Sequence, residues 1–226
     1  MIFNSLTFFV FFVIVVAVYY LLRSWTHRKL FLLIASYIFY AAWNPPFVLL
    51  LMGSTLIDWY VARLMGATAH PARRRALLLV SLVFNLGVLA FFKYGGFLLD
   101  NFVRLAHTMG IQYSPPVWGI VLPIGISFYT FLTLSYTIDV YERKIEPNVS
   151  LLDYAFFITF FPHLVAGPII RAADFLPQCR APRLASSREF SWGLTLMALG
   201  LFEKVVLADA IIAPVADRVY AAVDDA

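Results

Sequence analysis

The chain has 226 residues, of which 62% are hydrophobic and 13% charged, and its mean hydropathy is +0.83. Soluble domains are roughly 45–50% apolar and about 25% charged, so the composition excludes an ordinary water-soluble domain and a disordered chain. The single cysteine excludes a disulfide within the chain and a cysteine-rich metal site. The net charge of +4 does not indicate nucleic-acid binding, because the basic residues lie in loops between apolar runs, as in multi-pass membrane proteins.

The first apolar run, residues 5–22, is uncharged and is followed rather than preceded by basic residues. A signal peptide has the opposite order, so we predict a retained membrane anchor with its N-terminus outside the cell. Three further apolar runs, residues 30–43, 47–65 and 76–92, are predicted to cross the membrane. Basic loops follow the first run and the run of residues 47–65, and both loops are predicted to lie on the cytoplasmic side.

Residues 93–107 differ from these runs because their charged and apolar side chains separate onto two stripes of a helix. This pattern is typical of a helix that lies in the membrane interface. We therefore predict an interfacial helix over residues 93–107, followed by a proline-rich linker and a fifth span over residues 117–138.

The next apolar run, residues 151–170, is interrupted by Pro162 and by Gly167-Pro168, and a second arginine-rich loop follows it. If the run crossed the membrane, those arginines would lie outside. A segment that enters and returns keeps them with the other basic loops, so we predict a re-entrant segment. With a last span over residues 192–207, the prediction is one all-α membrane domain over residues 1–226. It has about six transmembrane helices, the interfacial helix and the re-entrant segment.

Asp58 lies near the middle of the third apolar run. A carboxylate at membrane depth is a candidate functional residue by default. The alternative is a structural role, in which Asp58 joins two helices through a buried hydrogen bond, with Ser54 one turn earlier as a possible contributor.

The fifth span carries a stripe of hydroxyl side chains at a spacing of three to four residues: Ser127, Thr130, Thr133 and Thr137. Such a stripe faces another helix or a cavity rather than lipid. Packing between helices and the wall of a polar cavity are both compatible with it.

His163 lies inside the broken re-entrant segment. An imidazole in such a place is able to act as a general base, but it is equally able to donate a hydrogen bond to a carbonyl freed by the helix break. Cys179 lies in a basic loop that favours a lowered thiol pKa, yet it has no partner pattern, so we interpret it as incidental. We identify no metal site.

Several motifs occur in order along the chain. They are residues 35–40 (ASYIFY), 54–59 (STLIDW), 122–131 (LPIGISFYTF), 135–141 (SYTIDVY), 160–169 (FFPHLVAGPI) and 200–209 (GLFEKVVLAD). Together they resemble the membrane-bound O-acyltransferases, in particular the bacterial alginate O-acetylation branch.

The resemblance implies a ring of transmembrane and re-entrant helices around a funnel. An acyl group from a cytoplasmic donor, acetyl-CoA or a carrier, passes through it toward an exopolysaccharide acceptor outside. In the alginate branch, periplasmic partner proteins place the acetyl groups on the polysaccharide. The donor is a substrate, and no bound cofactor is implied. The expected funnel-lining residues are Asp58, Ser127, Thr130, Thr133, Thr137, Pro162, His163, Gly167 and Pro168. The expected donor-binding residues are Arg171, Arg180, Arg183 and Arg188. The alternative is that these arginines only set the orientation of the chain in the membrane.

The family's catalytic histidine lies downstream of the proline–glycine motif, in the second half of a protein about twice this length. It is taken to act as general base on the acceptor hydroxyl. Nothing in residues 1–226 matches it, so we expect it beyond Ala226 and assign no catalytic residue here. His163 belongs to another motif.

The chain thus resembles the N-terminal half of an acyltransferase of the bacterial inner membrane, and we predict that it is catalytically incomplete alone. D-alanyl, peptidoglycan or cellulose acyl transfer remain alternatives, as does a non-catalytic polysaccharide export or scaffold subunit.

Overall fold

The computed structural model describes residues 3–111, 119, 121–165, 167–182 and 184–224, with the side chains of residues 222–224 excepted. Within these ranges every regular element is a helix. In chain order the elements are α1 (Leu6–Leu21), α2 (Trp25–Ala41), α3 (Pro46–Ala67), α4 (Pro71–Thr108), α5 (Ile126–Tyr141), α6 (Leu151–Thr159), α7 (Phe161–Leu164), α8 (Ala172–Phe175), a 3₁₀ turn (Leu176–Cys179), α9 (Ser187–Phe202), a π-helix (Glu203–Ile212) and α10 (Ala213–Asp224).

The all-helical fold is confirmed. Two helices, α3 with 22 residues and α4 with 38, are long and apolar enough to cross a membrane, and α1 is a shorter apolar helix of 16 residues. The total of six transmembrane helices stays a prediction.

Helix α4 is one continuous element where the sequence predicted a span and a separate interfacial helix. The boundary placed between Phe92 and Lys93 is wrong, because no proline follows Pro71 within the helix and Gly95-Gly96 does not interrupt it. At 1.5 Å per residue the helix is about 57 Å long, against about 30 Å for a bilayer core. Its second half, residues 93–107, therefore extends well beyond a single crossing, and its place in the interface remains a prediction.

Helix α5 begins later than predicted. Residues 112–118 and 120, including the first residues of the predicted span and its proline linker, lie outside the described ranges. The helix starts at Ile126 because Gly125 precedes it in a left-handed conformation, with φ of 76°. A Cβ on Gly125 would also lie 2.8 Å from the carbonyl oxygen of Leu164. Glycine is required here for both reasons.

The re-entrant segment consists of two short helices. Helix α6 has nine residues, about 13.5 Å, and α7 has four, with an extended ψ of 112° at Phe160 between them. Neither is long enough to cross a bilayer, and the entry and return of this segment through the membrane stay a prediction. Helix α9 begins at Ser187, before the predicted residue 192, because Ser186 and Glu189 form a capping box.

The described chain divides into two compact units, Ala17–Ala181 and the combination of Met1–Val16 with Pro182–Ala226. In the first, α3, α4, α5 and α6 pack against one another and α2 packs on α6. The largest side chains in its core are fully buried aromatic residues, namely Tyr40, Tyr129, Tyr136, Tyr154 and Phe157.

Arg74 ties the ends of two helices together. Its side chain is buried, and its guanidinium donates to the carbonyl of Met65 at 2.6 Å and to those of Val140 and Tyr141 at 2.9 Å. The last carbonyls of a helix have no partner within it. Arg74 therefore supplies the donors that the C-terminal ends of α3 and α5 need, whereas the sequence indicated only a charged loop.

We predict that Arg74→Met lowers the free energy of unfolding by about 3 kcal/mol, because three buried carbonyls lose their charged donor. Arg73→Met is the matched control, since Arg73 is exposed one residue away. Thermal unfolding in detergent measures both. Equal effects of the two substitutions would show that Arg74 acts only as one more surface charge.

Candidate functional site

Asp58 is completely buried at the junction of three helices. Ser81 Oγ, on α4, donates to its Oδ1 at 2.5 Å, and Asn85 Nδ2, one turn further along α4, donates to both carboxylate oxygens at 2.9 Å. Ser54 is not a partner, because its hydroxyl donates to the carbonyl of Leu51 in its own helix. The geometry is that of a carboxylate joining α3 to α4.

The hydroxyl stripe of α5 completes this cluster. Thr133 Oγ1 lies 3.3 Å from Asn85 Oδ1, and Thr137 Oγ1 lies 3.5 Å from Ser81 Oγ. Thr130, Thr133 and Thr137 are buried, whereas Ser127 is half-buried. We call the connected residues Asp58, Ser81, Asn85, Thr133 and Thr137 the polar cluster. It occupies the interface of α3, α4 and α5.

Ser81 and Asn85 were missed by the sequence analysis. A signal was present, because two polar residues four apart in the apolar run of residues 76–92 share one face of a helix. Three buried tyrosine hydroxyls, those of Tyr129, Tyr136 and Tyr154, have no hydrogen-bond partner among the described residues. The interior of this unit thus contains polar groups beyond those of the polar cluster.

The break between α6 and α7 frees a backbone carbonyl. In a continuous helix the N–H of Phe161 would donate to the carbonyl of Phe157, but it donates instead to Ser36 Oγ of α2 at 3.1 Å. His163 Nε2 lies 2.8 Å from the freed Phe157 oxygen. Because a carbonyl only accepts, Nε2 carries the proton. The imidazole therefore replaces the missing backbone donor, which is the second of the two roles considered for His163.

The other nitrogen of His163, Nδ1, is buried and has no partner among the described residues. The rings of Phe128, Phe157, Phe160 and Phe175 lie around the imidazole, with centroids 5.6 to 6.4 Å away. In this geometry His163 packs against the phenyl rings and donates a hydrogen bond to the backbone carbonyl of Phe157. No acid–base role is indicated.

The remaining residues of the motif differ in exposure. Pro162 and Pro168 are exposed, Gly167 is partly buried, and Ala166 lies outside the described residues. A Cβ on Gly167 would come within 2.4 Å of the Cα of His163. Glycine is needed at Gly167 because two backbone segments approach closely.

The four candidate donor-binding arginines belong to different parts of the chain. Arg171 and Arg180 are exposed on either side of α8 and the 3₁₀ turn, in the larger unit. Arg188 is exposed in α9, in the smaller unit, and Arg183 lies outside the described residues. Among the residues described, no group of three histidine, cysteine or acidic side chains is placed to hold a metal.

Cys179 is buried, and the expected lowering of its pKa is wrong. Burial, together with the nearby carboxylate of Asp153, raises the pKa of Cys179 to about 11 despite the opposing charge of Lys29. Its carbonyl accepts hydrogen bonds from Trp25 Nε1 at 2.7 Å and from Lys29 Nζ at 3.2 Å, and Lys29 also pairs with Asp153. The residue anchors the 3₁₀ turn to α2, and the raised pKa keeps its thiol protonated at neutral pH.

We predict that His163→Phe lowers the free energy of unfolding by about 1–3 kcal/mol, because the carbonyl of Phe157 loses its donor. His163→Gln retains an N–H donor and is expected to cost less than about 1 kcal/mol by the same argument. Unfolding in detergent measures both variants. Equal losses would contradict the donor role. A stable His163→Gln variant of a full-length protein that lacked acetyl transfer would instead point to chemistry at Nδ1.

Comparison with known proteins connects this geometry to a group of enzymes. The probable alginate O-acetylase of Pseudomonas aeruginosa is 39% identical over 222 residues, which are 98% of this chain and 42% of the relative. That of Azotobacter vinelandii is 36% identical over 226 residues, 99% of this chain and 44% of the relative. The peptidoglycan O-acetyltransferase of Helicobacter pylori is 32% identical over 223 residues, 84% of this chain and 41% of the relative.

No family model and no solved structure matches the chain. The chain spans less than half the length of the curated relatives it matches. The similarity nevertheless extends over nearly all of its own residues, so it includes the polar cluster, the re-entrant segment and the motifs that the sequence analysis singled out. The chain is therefore similar, over nearly all of its own length, to about 42% of the length of the bacterial alginate O-acetylases, and to that extent the resemblance to the membrane-bound O-acyltransferases drawn from its motifs is confirmed.

Proposed function

We propose that the protein to which this chain contributes is a membrane-bound O-acetyltransferase that passes acetyl groups from a cytoplasmic donor to an exopolysaccharide outside the membrane. Alginate is the first candidate acceptor. The observation that carries the proposal is the 36–39% identity, over almost the whole chain, to proteins named alginate O-acetylase. The protein is proposed to lie in the inner membrane, with its N-terminus outside and with periplasmic acetyl-transferring proteins as partners.

In this proposal the present chain builds part of the funnel wall. The polar cluster fixes α3, α4 and α5 relative to one another, and the bond between Ser36 and Phe161 holds the re-entrant segment against α2. A catalytic funnel needs walls that keep their positions while an acyl group moves past them. The residues proposed to face it are the exposed or partly exposed ones, namely Ser127, Pro162, Gly167 and Pro168.

The donor is proposed to be acetyl-CoA or an acylated carrier, both of which carry phosphate groups. Arg171 and Arg180 have exposed guanidinium groups in the larger unit. A guanidinium pairs well with phosphate oxygens, so these two residues are the proposed contacts of the donor. Arg188 and Arg183 are retained as weaker candidates.

Peptidoglycan is the second candidate acceptor, because the Helicobacter pylori relative at 32% identity is named for peptidoglycan O-acetylation. The alginate relatives are more similar in sequence and match a larger share of the chain. D-alanyl transfer, cellulose acylation and a non-catalytic export role are supported only by general family resemblance.

We propose that catalysis requires a further part of the protein, which corresponds to the region of the relatives outside the match to residues 1–226. Among the described residues His163 is the one buried histidine, and its Nε2 is engaged with a backbone carbonyl. We therefore expect the 226-residue chain alone to give no transfer from labelled acetyl-CoA, whereas a full-length protein in membranes that also hold its periplasmic partners acetylates alginate. Absence of transfer to both alginate and peptidoglycan with those partners present would reject the proposed activity.

We predict that Arg171→Gln and Arg180→Gln each raise the KM of the full-length protein for acetyl-CoA about twofold to fivefold, because an exposed ion pair contributes roughly 0.2–1 kcal/mol. Arg73→Gln, at an exposed arginine in the first turn of α4, is the matched control and leaves the KM unchanged. An unaltered donor dependence in all three variants, with normal insertion into the membrane, would reject the donor-binding role while leaving acetyl transfer intact.

A further inference from the structure

Tyr136 of α5 and Tyr154 of α6 lie side by side in the core of the larger unit. Both side chains are fully buried, and their ring centroids are 4.5 Å apart. Neither hydroxyl has a hydrogen-bond partner in the part of the chain that the structure describes. A buried donor without an acceptor is costly, and most buried polar side-chain atoms in proteins are hydrogen-bonded to protein or to ordered water. The two hydroxyls therefore require an acceptor.

The carboxylate of Asp58 lies near this pair. Helix α6 packs against α3 and α5, and the Tyr154 hydroxyl interacts electrostatically with both the Asp58 carboxylate and Tyr136. No direct hydrogen bond joins either hydroxyl to the carboxylate. Polar groups that interact across more than about 3.5 Å are the ones that a bridging water molecule joins. The three groups are therefore close enough to interact and too far apart to bond directly.

The carboxylate of Asp58 retains the capacity to accept one more hydrogen bond. A carboxylate has about four lone-pair sites on its two oxygens. Oδ1 accepts from Ser81 Oγ and from Asn85 Nδ2, whereas Oδ2 accepts from Asn85 Nδ2 alone, at 2.9 Å. The hydroxyl of Thr133 donates to the backbone carbonyl of Thr130 at 2.9 Å, so its proton is already used. Oδ2 is therefore the acceptor that faces the fewest donors.

Water suits these three groups, whereas a cation does not. A water molecule accepts hydrogen bonds from the two hydroxyls and donates one to the carboxylate, and buried waters in proteins typically make about three hydrogen bonds. A sodium ion would neutralise the charge of Asp58, but the hydroxyl protons of Tyr136 and Tyr154 would still have no acceptor. The two tyrosine donors therefore favour water as the ligand of this site.

We propose that a buried water molecule accepts hydrogen bonds from the hydroxyls of Tyr136 and Tyr154 and donates one to Oδ2 of Asp58. This water bridge extends the polar cluster from three helices to four, because Tyr154 belongs to α6. The re-entrant segment is then held at two points, by the water bridge in α6 and by the hydrogen bond from Phe161 to Ser36 at the start of α7. The inference is independent of acetyl transfer, since it uses only contacts inside the larger unit.

The sign of the stability change in Tyr154→Phe tests the water bridge. The variant is made in a full-length protein carrying residues 1–226, and its melting temperature is measured in detergent. Removal of a bridged hydroxyl breaks a hydrogen-bonded network, so we expect the melting temperature to fall by about 2–4 °C. Removal of an unpaired hydroxyl would instead relieve a buried donor and raise the melting temperature. A rise overturns the proposal.

Removal of the carboxylate is the second half of the test. Asp58→Leu keeps the branching of the side chain without its oxygens, and in this background Tyr154→Phe is expected to change the melting temperature by less than about 1 °C. Tyr129→Phe is the matched control, because its buried hydroxyl is also unpartnered among the described residues but interacts with Tyr40 rather than Asp58. The control is expected to have the same effect in both backgrounds. An effect of Tyr154→Phe that does not depend on Asp58 overturns the proposal.

Electron cryo-microscopy of the full-length protein, at a resolution that shows ordered water, decides the question should the Asp58→Leu variant fail to insert. We expect a density peak about 2.5–3.0 Å from both Tyr154 Oη and a carboxylate oxygen of Asp58, and its loss in Tyr154→Phe. Absence of the peak in the parent protein, or a direct hydrogen bond from the hydroxyl to the carboxylate, overturns the proposal. A melting temperature that falls when choline replaces sodium in the buffer would identify a bound cation and overturn it as well.

Discussion

The buried carboxylate of Asp58 is the constraint around which the larger unit is arranged. Removal of a carboxylate from water is costly unless hydrogen bonds replace its hydration, and Ser81 and Asn85 supply those bonds from α4. Thr133 and Thr137 of α5 lie within hydrogen-bond distance of Asn85 and Ser81. The need to satisfy the buried carboxylate therefore fixes how far α3, α4 and α5 are shifted along their axes and rotated about them relative to one another. Apolar packing alone is weakly directional. The polar cluster is what gives the interface of α3, α4 and α5 a single arrangement.

The same rule, that every buried backbone group needs a partner, governs the broken segment. The break at Phe160 redirects the amide of Phe161 to Ser36 on α2 and leaves the carbonyl of Phe157 to His163. Irregular backbone at membrane depth is tolerated only where protein or water satisfies it. Gly125 and Gly167 complete the arrangement, since each lies where an added Cβ would collide with a neighbouring backbone. Arg74 does the same for the C-terminal ends of α3 and α5, because its guanidinium donates hydrogen bonds to their last carbonyls.

The sequence predicted the helices well and their polar partners poorly. Runs of apolar residues with charges between them were sufficient to place α1, α2 and α3, because burial in lipid demands long apolar segments. The predicted boundary between Phe92 and Lys93 was wrong because the pattern of apolar and charged residues changes there while the helical backbone of α4 continues. Asp58, the threonine stripe and the proline–glycine motif were recognised as unusual. Their partners Ser81, Asn85 and Ser36 were not, because a hydrogen bond between distant segments leaves no local pattern, and a lone serine in an apolar run is common.

A double-mutant cycle between Asp58 and Asn85 tests the central claim, that the carboxylate holds helices together, most directly. Asp58→Ala, Asn85→Ala and the double variant are unfolded in detergent beside the parent chain. The account predicts a coupling free energy of about 1–3 kcal/mol, with the double variant losing far less stability than the sum of the single ones. Additive losses within about 0.5 kcal/mol would mean that the two side chains do not share a bond, and would contradict the arrangement of α3, α4 and α5 described above.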